Sequence, residues 1–133
     1  MRIFACVSVI AALSASHTVR AQPAAAPAAA TVTVVLSNFD FSPDHLRLSA
    51  GVPVRLRLVN ESGGGHDFSA PGFFAASNVL PGGAAPSGGA VAVGSHRTEE
   101  VLLVPRTPGT YRLECTHFLH SVFGMHGTID IVP

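Results

Sequence analysis

Over residues 52–60, VPVRLRLVN, the apolar side chains Val54, Leu56 and Leu58 alternate with Arg55 and Arg57. A period of two puts the aliphatic groups on one face and the charges on the other, the mark of a strand buried on one side. No helix would sort these residues. Other short segments read the same way: TVTVVLS at 31–37, FDFSP at 39–43, HLRLSAG at 45–51, AVAVG at 90–94, TEEVLLVP at 98–105, TYRLEC at 110–115 and HGTIDIVP at 126–133. Glycine and proline punctuate them, and no long helical period appears. Seven or eight short strands in one chain predict an all-β fold, an antiparallel Greek-key β-sandwich or barrel.

The segment 69–90, SAPGFFAASNVLPGGAAPSGGA, interrupts this pattern. FFAAS is long enough for one helical turn, and the rest is too rich in Gly, Pro and Ala for a regular element, so it reads as a surface excursion.

The 133 residues suit one domain, and 8 Lys+Arg balance 8 Asp+Glu. Without a basic patch there is no footprint for a phosphate backbone, which argues against nucleic-acid binding. No apolar stretch of spanning length occurs beyond the first residues, which argues against a membrane-spanning protein. Residues 1–21 open on Met-Arg, continue through the apolar run IFACVSVIAALSA and end in Val19-Arg20-Ala21, which reads as a secretory signal peptide. Residues 22–30 form a Pro/Ala linker, and the domain spans 31–133. The expected location is the periplasm or the outside of the cell, with no membrane attachment after cleavage.

Cleavage removes Cys6 and Met1 and leaves one cysteine, Cys115, and one methionine, Met125. A lone cysteine in an exported protein has no internal disulfide partner, so it is a buried thiol, an intermolecular bridge or a ligand. Its neighbourhood favours the last. CTHFLHSVFGM places Cys115, His120 and Met125 on one loop between two strands, at the spacing C-x4-H-x4-M. Thiolate, imidazole and thioether together are a soft donor set that suits copper. A second imidazole must come from elsewhere, and His66, after the turn Glu61-Ser-Gly-Gly-Gly65, is the natural candidate. No paired carboxylates, nucleophile elbow, phosphate-cradling loop or HEXXH motif accompanies them.

On these residues the chain resembles the cupredoxin family. FDFSPDHLRLSAGVPVRLRLVNESGGGHDF is similar to the family's N-terminal half, which ends in the first histidine ligand. TYRLECTHFLHSVFGMHGTIDIV is similar to its C-terminal half. The gap of four residues between Cys115 and His120 matches the rusticyanin and azurin branches rather than plastocyanin, and HDFSAPGFF resembles a bacterial copper-binding subgroup. The resemblance implies one copper ion per chain, with His66, Cys115 and His120 as in-plane ligands and Met125 as the axial one. His117 and His126 are competing donors, with His120 preferred over His117 and His126 facing water. His45 and His96 read as solvated surface. Asn60, or else Ser62, is expected to hydrogen-bond near the Cys115 sulfur and the His66 loop. Asn60-Glu61-Ser62 also matches a glycosylation acceptor.

A centre of four protein donors leaves no open position for a substrate, so the expected role is electron carriage rather than catalysis. Phe118, Leu119, Val122 and Phe123 would form an apolar rim around His120 where redox partner proteins dock. The competing expectation is a periplasmic copper storage or delivery protein. A third is a cupredoxin-like interaction module that binds no copper, or a related domain of an iron-uptake system.

Overall fold

The computed structural model describes residues 28–118, 120 and 122–133. The signal peptide and most of the linker therefore lie outside the described residues, as do Leu119 and Ser121. Among the described residues ten strands and one short helix follow in order: β1 (Ala30–Ser37), β2 (Asp40–Ser42), β3 (His45–Ser49), β4 (Val54–Asn60), β5 (His66–Ser69), α1 (Pro71–Ala75), β6 (Ser77–Val79), β7 (Ala90–Val93), β8 (Thr98–Pro105), β9 (Gly109–Glu114) and β10 (His126–Val132). They make two five-stranded sheets, ordered β2-β1-β4-β8-β6 and β3-β10-β9-β5-β7.

The alternation that opens the sequence argument is realised in β4, where Val54, Leu56 and Leu58 are buried while Arg57 is exposed. Antiparallel β8 lies beside it with Leu56 opposite Val101 and Arg57 opposite Glu100. The same register brings Arg55 Nη1 within 2.9 Å of Glu100 Oε2 on the outer face. On the inner face Val34, Leu36, Leu56, Leu58, Val101 and Leu103 meet Leu113, Ile129 and Phe68 of the opposite sheet. Each such side chain contributes about 1.5–3 kcal/mol on leaving water. Phe41 of β2 packs edge-on against Phe68 of β5, with ring centroids 6.0 Å apart, and so ties the two sheets together.

Three sequence expectations need correction. The sheets are mixed: β1 runs parallel to β4, and β10 parallel to β3. Alternation reports which face of a strand is buried and carries no information on which strand lies beside it. Strands β5 and β6 were not expected. In β5 all four residues, His66 to Ser69, are buried, so no period of two exists to be read. Segment 69–90 is also more than a surface excursion, because Phe73 and Phe74 of α1 are buried in the core and β6 pairs with β8. The returning chain packs against the first turn of α1 at Gly89, where φ is +78° and an added Cβ would lie 2.5 Å from Pro71 Cα.

Candidate metal centre

At one end of the sandwich, β4 hands over to β5 through a tight knot of polar groups. Asn60 is buried, and its Nδ2 donates to the carbonyls of Gly64 at 2.8 Å and of Val93 and Gly94 at 3.0 Å. Three carbonyl partners fix which way the amide points. Its Oδ1 then accepts from the Ser62 backbone N–H at 2.9 Å and the Ser62 hydroxyl at 2.8 Å. With its own proton committed, Ser62 Oγ accepts from His66 Nε2–H at 2.8 Å. This chain of donors fixes the tautomer of His66 and leaves Nδ1 with a free lone pair. Asn60 therefore acts on the His66 loop, as expected, but its amide is spent on carbonyls and does not reach the Cys115 sulfur. The same burial removes it as a glycosylation acceptor.

The other donors come from the connection between β9 and β10, which are antiparallel neighbours with Glu114 opposite His126. The Cys115 N–H donates to the Met125 carbonyl at 3.1 Å, and the Met125 N–H to the His120 carbonyl at 3.0 Å, closing the loop at its base. Cys115 and Met125 are fully buried. Next to β9, Ser69 of β5 pairs with Glu114. Beyond that pair the Asp67 carboxylate takes over from the backbone, accepting the Thr116 N–H at 2.6 Å and the Thr116 hydroxyl in a very short contact. The sequence pattern does not single out Asp67, because all four residues of β5 are buried and carry no alternation.

These constraints converge on the sulfur. His66 Nδ1 stands 3.8 Å and His120 Nδ1 3.5 Å from Cys115 Sγ, and the two nitrogens are 3.1 Å apart. With bonds of about 2.0–2.1 Å to nitrogen and about 2.3 Å to sulfur, two donors on one ion stand about 3.0–3.8 Å apart. The three residues fit a single metal ion, and they form one of two such clusters among the described residues. Of the remaining histidines, His117 lies in the other cluster with Asp67 and Cys115. His126 opens β10 and is exposed, and His96 is exposed with φ +52°. His45 is exposed too, but it has a partner that the sequence did not suggest, Asp130 Oδ2 at 2.9 Å.

Burial, reinforced by the neighbouring imidazoles of His120 and His117, holds the pKa of His66 below the ordinary histidine value. Burial also pushes the Cys115 thiol up, against backbone N–H bonds from Asp67 and His117 that pull it down. The metal-free centre thus offers a neutral imidazole and a protonated thiol, and metal binding must displace the thiol proton.

The edge of the centre faces solvent through His120, which is partly exposed. Phe39, in the turn between β1 and β2 at φ 64°, meets the His120 ring edge-on at 5.3 Å and Phe123 at 5.2 Å. Phe118, Val122 and Phe123 are exposed around it, at 87%, 76% and 62%. The apolar surround thus includes Phe39, which sequence reasoning missed because it lies about eighty residues from the loop it packs against.

A two-sheet sandwich that gathers a buried thiol and two imidazoles beside a buried methionine defines a small copper-binding β-sandwich protein. The family model of the cupredoxin-like domain matches residues 4–131, and the chain belongs to that family. It accordingly takes one copper ion. No curated protein matches the sequence. Among solved structures, auracyanin B is 24% identical with a TM-score of 0.57, covering 79% of this chain and 90% of that one. A dithionite-reduced auracyanin from Roseiflexus castenholzii is 17% identical with a TM-score of 0.58, covering 79% and 98%. The McoA multicopper oxidase of Aquifex aeolicus is 17% identical with a TM-score of 0.62, and the match covers 84% of this chain but 31% of the oxidase. These likenesses bear on the fold.

Proposed function

We propose that the protein is an exported one-electron carrier built on a type 1 copper site, which His66, Cys115, His120 and Met125 would hold. The observation that carries this reading is the convergence of His66 Nδ1, Cys115 Sγ and His120 Nδ1 within 3.1–3.8 Å of one another. When bound, copper supplies a single electron by cycling between its two oxidation states. The protein's own part is to hold the donors still. Ser62 orients His66, Asp67 pins the backbone after Cys115, and the Cys115 and Met125 backbones bond to each other across the loop base. A rigid donor set that changes little between oxidation states keeps the cost of electron transfer low, and four protein donors leave no place for a substrate.

That an auracyanin of the same fold is known in a dithionite-reduced form supports a redox role. The apolar surround of His120, Phe39 with Phe118, Val122 and Phe123, suits short-lived docking of a redox partner protein, with the imidazole edge as the electron's exit. Export rests on the signal-peptide reading of residues 1–21. Among the described residues, no helix is long and apolar enough to cross a membrane.

The test is the visible and electron paramagnetic resonance spectrum of the copper-loaded protein, followed by voltammetry. An intense thiolate-to-copper(II) band with reversible one-electron reduction is the expected result. A colourless protein that yields its copper readily to a chelator would instead support the second reading, storage or delivery, which the exposed extra imidazole of His117 favours.

A further inference from the structure

Beside the trio of His66, Cys115 and His120, a second set of donors meets at the same sulfur. Asp67, Cys115 and His117 have ligand atoms that all lie within 4.8 Å of one another. His117 Nδ1 is 3.8 Å from Cys115 Sγ, the separation that His66 Nδ1 also shows, and 4.0 Å from Asp67 Oδ1. The first distance suits two bonds to one ion at an angle of about 120°, and the second is too long for a hydrogen bond.

What separates the two imidazoles is access. His66 is 1% exposed, whereas 44% of the His117 side chain meets solvent. The His117 ring lies beside that of His120, centroids 5.8 Å apart and planes 24° from parallel. An arriving ion therefore meets His117 before it meets His66. Behind His117 stands the buried carboxylate of Asp67, 7% exposed, within 4.8 Å of the Cys115 sulfur.

We propose that Asp67, Cys115 and His117 form an outer metal position, sharing its sulfur with the inner one, through which copper enters and leaves the protein. This rests on the reading of the inner trio as the copper site. On entry, Cys115 releases its proton to water as its sulfur and the His117 nitrogen replace two donors of the copper carrier. The nitrogens of His66 and His120 then displace that of His117 while the sulfur stays attached. The ion keeps its oxidation state throughout. Asp67 offsets its charge while only one imidazole is engaged. Exchange by way of a shared sulfur avoids ever releasing the ion to solvent.

The test compares the full chain with its His117→Ala variant, whose altered side chain is 44% exposed and is not among the buried core residues. Copper(I) uptake by the metal-free protein, and removal from the reduced loaded protein by excess copper(I)-selective chelator, are followed by stopped flow. The expected result is uptake and removal at least tenfold slower in the variant, with one copper still bound per chain and the rate restored by added imidazole. Equal rates in the two proteins overturn the proposal, as does a slowed variant that imidazole fails to restore. A variant that no longer takes up copper also overturns it, because His117 would then belong to the inner site. If the unaltered chain itself binds no copper, it is the inner-site reading that fails, and that outcome is distinct from all of these.

Discussion

Ser62 Oγ accepts a hydrogen bond from His66 Nε2 at 2.8 Å, and through it a hydroxyl four residues upstream decides which imidazole nitrogen faces the Cys115 sulfur. Ser62 is held in turn by Asn60 Oδ1. The orientation of the His66 ring is thus set by two residues outside the cluster of His66, Cys115 and His120.

Ser62→Ala removes that acceptor and frees the His66 ring to turn or to change tautomer. Losing an outer partner of a ligating histidine typically costs about 10–100-fold in metal affinity. The expected result is a drop of that size, measured by competition with a copper chelator. Unfolding by urea should show a stability loss of about 1–3 kcal/mol from the buried nitrogen left without a partner.

Cys115→Ser keeps a small polar side chain at a fully buried position, so the sandwich remains folded by far-ultraviolet circular dichroism. The thiolate-to-copper(II) band disappears. Retained colour in this variant would remove Cys115 from the centre.

Met125→Leu nearly conserves volume in the core and should cost less than about 1.5 kcal/mol. Copper binding persists through the inner trio. Removing the thioether, which favours Cu(II) more than an alkyl group does, raises the reduction potential. Voltammetry checks the sign, and a lowered potential would contradict the axial role.

Asp130→Asn tests the outer face of β10. The Asp130 carboxyl sits below the usual carboxylate range, first because it accepts from Thr110 Oγ1 at 2.6 Å and then because of His45 Nε2 at 2.9 Å. A carboxyl whose pKa falls on folding stabilises the folded state above its unfolded pKa, about 3.9, and loses that effect as pH drops through the folded value. The wild type should therefore be slightly more stable than the variant at neutral pH, and thermal unfolding should show the gap closing below about pH 4.

Much of this fold is legible in the sequence. Where one face of a strand is buried and the other wet, as in β4 and β8, the sequence carries the pattern openly, and all eight segments read as strands are strands. Cys115 and His120, whose side chains meet in the structure, were legible because one loop carries them together. His66 was legible because a glycine-rich reversal precedes it. The pairing of β1 with β4 and of β3 with β10 was not, since neighbours in a sheet are chosen by chain path and core shape. Nor was Asp67, whose part depends on Thr116 lying beside it across β5 and β9. Phe39 was hidden for the same reason: its contact with His120 exists only after the sheets have closed. Asn60 was expected to matter, and does, but through carbonyls of a different turn.

His66 and Cys115 lie 49 positions apart in the chain. An ion held by both would work as a clasp, fastening β5 to the hairpin of β9 and β10. Since an unfolded chain cannot keep those donors together, the loaded protein gains resistance to heat in proportion to the logarithm of free metal over its dissociation constant. An empty copy, lacking the clasp, is the one that a protease would open first.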